Sequence, residues 1–218
     1  YSPVGLYLSD GETAGGLVTG ASNDNFGILP HGVFCSVGAR PYQVIESRAF
    51  AKARPDCRLA TQSVPMLVID GALHPRFLID SDSRYIRNGV GVSPDGQTAY
   101  PNDTAAMRTY EFDYSWASGL TNQRIFLSFQ PEEGRPDGLT VDTEDGVWIA
   151  LNGGGCVRRY STDGDLTDGI RFPVSQITAC TFGGPGHRTL FCTSSSLGLA
   201  DEPAAGSVFA VDAGVRGW

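Results

Sequence analysis

From Asn88 onward the hydrophobic and polar positions repeat. Three stretches share one order: an apolar strand, a turn holding Asp-Gly or Gly-Pro-Gly, a second apolar strand, and a later strand rich in aromatic and β-branched residues. The first reads NGVGVSPDGQTAYPNDTAAMRTYEFDY from Asn88 and the second PDGLTVDTEDGVWIALNGGGCVRRYSTDG from Pro136. The third reads ITACTFGGPGHRTLFCTSSS from Ile177 and resumes at GSVFAVD. Starts roughly 40 to 50 residues apart suit propeller blades of four short strands. Three such units also fit a β-meander sandwich. The turns Ser93-Pro94-Asp95-Gly96 and Glu144-Asp145-Gly146 lie between apolar runs, where Gly is expected to supply the positive φ of a hairpin.

The first 85 residues do not keep this period. LVTGASNDNFGILPHGVFCSV predicts a loop leading into short strands. VIESRAFAKARPDCRLATQ predicts a helix over Ser47–Ala53, ended before Pro55. SVPMLVIDGALHPRFLID predicts a strand, an Asp-Gly turn and a second strand. The expected fold is therefore mainly β: a partial propeller of about three blades over 88–218, preceded by a small mixed α/β segment over 1–87.

Composition narrows the function classes. The chain has 218 residues, 28 Gly and 13 Pro, the punctuation of many tight turns. A formal charge of −8 with no basic stripe argues against nucleic acid, which needs clustered cations. The longest apolar run, about Val64 to Ile69, is far short of a bilayer span. Cys35, Cys57, Cys156, Cys180 and Cys192 contain no CxxC pair and are odd in number, so buried free thiols are expected. Free thiols and an opening without a leader pattern favour the cytoplasm. Asn102-Asp103-Thr104 is a glycosylation triplet of the kind that arises often by chance.

Several chemistries find no support in the residue pattern. His31, His74 and His187 are not at metal-ligand spacing, and no GxSxG elbow or GxxxxGK[ST] loop occurs. Asn152-Gly153-Gly154-Gly155 is glycine-rich, but no helix pattern follows to complete a phosphate loop. Asn88 and Asp137 stand out. Both precede the innermost strand of consecutive repeats, in Arg87-Asn88-Gly89 and Pro136-Asp137-Gly138. In a propeller such positions converge on the central channel, where an amide oxygen and a carboxylate suit Ca²⁺, Mg²⁺ or Mn²⁺. Both are equally explained as turn residues.

NGVGVSPDGQTAY, YEFDYSWASG, GRPDGLTVDTEDGVWIALNGGGCVRRYSTDG, PVSQITACTFGG and TLFCTSS together resemble the regucalcin and gluconolactonase family of six-bladed propeller lactonases, from about Asn88 to Gly217. The resemblance implies a catalytic divalent metal (Ca, Zn or Mn) held by Asn88 and Asp137. It also implies a small-molecule sugar lactone as substrate, and Asp137 as a general base. The family's first-blade Glu has no counterpart upstream, and three blades leave two open edges. Weak or absent activity, or self-association to complete the ring, is the corresponding expectation.

Upstream, SPVGLYLSDG, NDNFGILPHGVF, ESRAF, ATQSVPMLVIDGALHPRF and SRYIRNGVGVSPDG resemble the phosphodiester glycosidase family, over about residues 1 to 96. That resemblance implies a glycosidic phosphodiester hydrolase in which Arg84 grips a phosphate by a bidentate fork. Val64 stands where that family has Gly. RNGVGVSPDG fits both families and marks the expected seam of a chimera. A lactonase-like hydrolase is the leading expectation. The phosphodiester hydrolase and a non-catalytic scaffold fragment are the alternatives.

Overall fold

The computed structural model describes residues 87–115 and 117–217, together with six strands of the preceding segment. In those six strands, and at Arg87 and Asn88, it describes the backbone alone. The chain forms two compact units, 1–87 and 88–218.

In the first unit, β1 (Val4–Ser9) pairs antiparallel with β2 (Ala14–Gly20). β3 (Asn25–Leu29), β4 (Gly32–Ser36), β5 (Met66–Asp70) and β6 (Pro75–Ile79) form a four-stranded antiparallel meander. β5 and β6 are the strand pair read from SVPMLVIDGALHPRFLID. The meander itself was not expected from a segment lacking the downstream period. The stretch expected to be helical, 47–53, lies outside the described residues.

The second unit contains three antiparallel sheets, each a meander in chain order. The first is β7 (Arg87–Val92), β8 (Thr98–Asp103), β9 (Arg108–Ser115) and β10 (Gly119–Ser128). The second is β11 (Arg135–Val141), β12 (Val147–Asn152), β13 (Cys156–Tyr160) and β14 (Leu166–Arg171). The third is β15 (Ile177–Gly183), β16 (Thr189–Ser194) and β17 (Val208–Asp212). The architecture is mainly β, with blade-like sheets stacked face to face as in part of a propeller. Short 3₁₀ turns at Pro131–Glu133 and Pro185–His187 are the helical pieces among the described residues.

β12 shows why the sheets stack. Its residues VWIALN are apolar at five consecutive positions, and alternate residues point to opposite faces of a strand. Val147, Ile149 and Leu151 face one core with Tyr100, Phe129, Leu139 and Tyr160. Trp148 and Ala150 face the other core with Val174, Ile177, Cys180 and Leu190. A strand buried on both sides needs a sheet on each. Trp148 is fully buried and meets Phe182 edge-on at 6.0 Å. Cys156, Cys180 and Cys192 are buried free thiols, as expected, while the Cys35 side chain and all of Cys57 lie outside the described residues. Among the described residues no helix is long and apolar enough to cross a membrane.

The innermost strands lie side by side. A Cβ on Gly89 would sit 2.8 Å from both the Asp137 carbonyl oxygen and the Leu139 amide nitrogen. A Cβ on Gly138 would sit 2.5 Å from the Ala179 Cβ. Glycine at these two points lets β7, β11 and β15 approach backbone to backbone. The second turn departs from expectation: Asp145 takes the positive φ, at 61°, rather than Gly146. Gly146 serves close approach instead, because a Cβ there would lie 2.2 Å from Arg159 Nε.

Candidate functional site

Asp137 lies near the start of β11, at an irregularity in the ladder. Pro136 pairs with Leu151 and Leu139 with Ile149, so Asp137 and Gly138 together oppose the single residue Ala150. Two residues against one make a β-bulge, which breaks the pairing locally and re-aims a side chain. Pro136 lacks an N–H and Gly138 lacks a Cβ, so this sequence tolerates the break. The same irregularity recurs in the third sheet, where Thr178 is the extra residue between the pairs Ile177–Ser194 and Ala179–Thr193. Thr178 thus occupies the repeat position of Asp137, and its hydroxyl lies 2.8 Å from that of Thr193.

The Asp137 carboxylate is partly buried and weakly bonded. Asn152 Nδ2 donates to Oδ2 at 3.3 Å from the end of the neighbouring strand. Burial pushes the carboxyl up to about 7, against the lowering influence of the Asn152 bond and the Gly138 backbone N–H. A half-sequestered carboxylate with so few donors gains from a nearby positive charge. Its hard oxygens suit a divalent cation of the Ca²⁺ or Mn²⁺ type. Among the described residues no group of three His, Cys, Asp or Glu converges on one point. Among the described residues Asp137 is therefore not part of an acidic or histidine cluster, and a cation there would need neutral oxygens or residues beyond those described beside it.

Of the other expected site residues, Asn88 is placed by its backbone. It precedes Gly89, which abuts the Asp137–Leu139 backbone, so adjacent repeats do bring the two positions to neighbouring strands. The Asn88 side chain and all of Arg84 lie outside the described residues. The Gly153–Gly155 loop is not a phosphate cradle. Gly153 and Gly155 donate their N–H groups to the Ser175 carbonyl and Gly154 donates to that of Leu151, leaving none for an anion. His187 is exposed in its 3₁₀ turn; His31 and His74 lie outside the described residues. Two shallow clefts, of about 400 and 350 Å³, are lined by Thr143, His187 and Arg216 and by Gly153, Arg171 and Glu202. Asp137 lines neither, so they do not compete with the strand-end site.

Sequence reasoning missed three polar residues that surround the bulge. Asn152 was weighed only as part of a glycine-rich run. Asn102 and Thr104 were weighed only as a glycosylation triplet. Their place in the repeat, at the ends of second strands, was the available signal.

A model of the SMP-30/Gluconolactonase/LRE-like region matches residues 64–196. The match begins upstream of Asn88 and takes in β5 and β6, so RNGVGVSPDG, the expected seam, lies inside one family region. Regucalcin of Danio rerio is 35% identical over 144 residues, covering 62% of this chain and 49% of its own. L-arabinolactonase of Azospirillum brasilense is 37% identical over 129 residues, covering 57% and 42%. The chain spans about half the length of these relatives. Among solved structures, a luciferin-regenerating enzyme superposes with a TM-score of 0.71 at 22% identity, covering 99% of this chain and 73% of that one. A calcium-binding regucalcin of Agrobacterium tumefaciens gives 0.69 at 23% identity, covering 98% and 76%. At these identities the superpositions speak to fold alone.

Proposed function

The chain belongs to the SMP-30/Gluconolactonase/LRE-like family, and from that premise we propose that it carries the strand-end half of a divalent-cation-dependent lactonase site, with a sugar lactone as substrate. The observation that supports this most is Asp137: a partly buried carboxylate, re-aimed by a bulge, with one side-chain donor at 3.3 Å. The named relatives include an L-arabinolactonase and a pentonolactonase, which supports the lactone class.

In this reading Asp137 and Asn88 hold the cation, and Asn152 orients the carboxylate. Ca²⁺, Mn²⁺ or Zn²⁺ held there would supply Lewis acidity for a lactone carbonyl. Asp137 accepts a proton from the water that attacks that carbonyl. Ring opening then leaves a hydroxy acid.

The test is thermal unfolding of the purified chain with EDTA, Ca²⁺, Mn²⁺ or Zn²⁺, beside pH-stat titration of acid released from an aldonolactone. A cation that binds the native state raises the midpoint by mass action. We expect a rise with one of these ions and its loss in Asp137→Ala. Folded wild-type protein that neither gains stability from any of the ions nor opens the lactone would end the proposal.

A further inference from the structure

The triplet Asn102-Asp103-Thr104 has a role that its sequence disguises. Asn102, in β8, is 0% exposed, so its amide is not open to glycosylation in the folded chain. Its Nδ2 donates across the sheet boundary to the carbonyl oxygen of Asp137. Its Oδ1 accepts from Thr109 Oγ1 at 2.6 Å, which fixes which way the amide faces. Thr104 Oγ1 donates to the Pro136 carbonyl oxygen at 2.7 Å. Two side chains of one sheet therefore hold two successive carbonyls of the next, at the bulge that carries the candidate ligand.

The location matters because a bulge is the weakly specified part of a ladder. Two residues face one, and Gly138 brings no Cβ to restrict the backbone. The Pro136 and Asp137 carbonyls belong to the two peptide planes that flank the Asp137 Cα, and together those planes set the direction of its Cα–Cβ bond. A buried amide satisfied at both ends is rigid, and costly to leave unpaired. We infer that Asn102 and Thr104 are positioning residues, a clamp from the preceding sheet that fixes the two peptide planes flanking Asp137 and so the direction in which its carboxylate leaves the backbone. The inference rests on the cation-site reading of Asp137 given above.

The test uses the whole chain and measures Ca²⁺, Mn²⁺ and Zn²⁺ binding by titration calorimetry, with the unfolding midpoint in EDTA recorded beside it. Thr104→Val keeps the shape and removes the hydroxyl; Thr104→Ser restores it. Outer-shell partners of metal ligands typically contribute 10–100-fold in affinity, so Thr104→Val is expected to weaken binding by about tenfold and Thr104→Ser to recover most of it. Asn102→Asp, which sets a carboxylate against the Asp137 carbonyl, is expected to weaken binding further. Should that buried variant fail to fold, the Thr104 pair still decides. A merely structural role would lower the EDTA midpoint of Thr104→Val and leave its cation affinity at the wild-type value, which would overturn the clamp while sparing the cation site. Wild-type protein that binds none of the three ions would overturn the site and the clamp with it.

Discussion

Asp137 and Asp142 stand five residues apart, one near each end of β11, and the fold treats them in opposite ways. Asp142 is 0% exposed, yet every face of its carboxylate is used. It accepts from Glu144 N at 2.8 Å, Gly146 N at 2.9 Å and Trp148 Nε1 at 2.8 Å. Arg159 adds Nε at 2.6 Å and Nη2 at 3.2 Å. Asp137 has a single side-chain donor, at 3.3 Å. Burial raises both carboxyls. At Asp142 the bonds from Arg159, Trp148 and the two amides outweigh it, and that carboxyl lies below its ordinary range. At Asp137 burial wins and the carboxyl reaches about 7. The lesson is that burial alone does not distinguish a fully bonded structural carboxylate from one with acceptor capacity to spare. The number of donors the fold supplies does. Asp142 is finished by folding, whereas Asp137 is left with acceptor capacity that a ligand can use.

Removing each side chain should therefore break different things. Asp137→Asn is expected to lower lactone turnover by about 10²–10⁴-fold, the usual worth of a positioned general base. Its midpoint in EDTA should match or exceed that of wild type. Asp142→Ala is expected to cost about 3–5 kcal/mol, because it strands the Arg159 guanidinium and the Trp148 N–H among buried groups. Denaturant titration of both variants beside a lactone assay checks the pair. Equal stability losses in the two would dissolve the contrast.

pH should separate them by sign. A carboxyl lowered in the native state stabilises the fold above its unfolded value near 3.8, and that contribution disappears as pH falls through the lowered native value. The wild-type advantage over Asp142→Asn should accordingly be full at pH 6 and shrink below pH 4. For Asp137 the native value lies above the unfolded one. The native state then holds the extra proton, and stability falls as pH rises from about 4 to about 7. In EDTA, Asp137→Asn should gain on wild type across that window by up to about 1.4 kcal/mol per pH unit, and be level with it below pH 4. Midpoints taken from pH 3 to 8 show whether the two slopes oppose.

The contrast between the carboxylates was only half legible in the sequence. The repeat was legible, because strand alternation and turn residues recur locally, and it brought Asn88 and Asp137 to equivalent positions. β12 was legible as a strand buried on both faces, since VWIAL carries no polar residue to turn outward. The bulge at Asp137-Gly138 was not, since it depends on how β11 registers with β12 rather than on either strand. Nor was the grip of Asn102 and Thr104, whose partners lie 35 and 32 residues away in chain order. Asp142 looked like any turn aspartate. Only the fold brings Arg159 to it, through the pairing of Trp148 with Arg159. Gly146 was read as the turn glycine, but Asp145 bends the chain and Gly146 makes room for that arginine. Long-range partners, not local propensity, separated the two roles.

The smallest effect sharpens the comparison from the neighbouring sheet. Ser93 holds, in the β7–β8 turn, the place that Asp142 holds in the β11–β12 turn: each follows the last valine of its strand. Ser93 is 6% exposed; its Oγ donates to Asp95 Oδ1 at 2.6 Å and accepts from Thr98 N at 2.9 Å. These are local bonds between residues two and five apart, without a guanidinium or an indole to leave stranded. Ser93→Ala should therefore cost about 1 kcal/mol, the net worth of an ordinary hydrogen bond, against the several expected for Asp142→Ala. For a chain of this size that is a midpoint drop of about 2–4 °C. Differential scanning calorimetry of the two alanine variants measures the ratio directly. A ratio of several-fold would mean that the repeated turn is a conserved shape with unequal energetic roles, with Asp142 tying β11, β12 and β13 together. Near-equal losses would mean that the turn backbone carries the stability, and that the Arg159–Asp142 pair contributes little beyond offsetting its own desolvation.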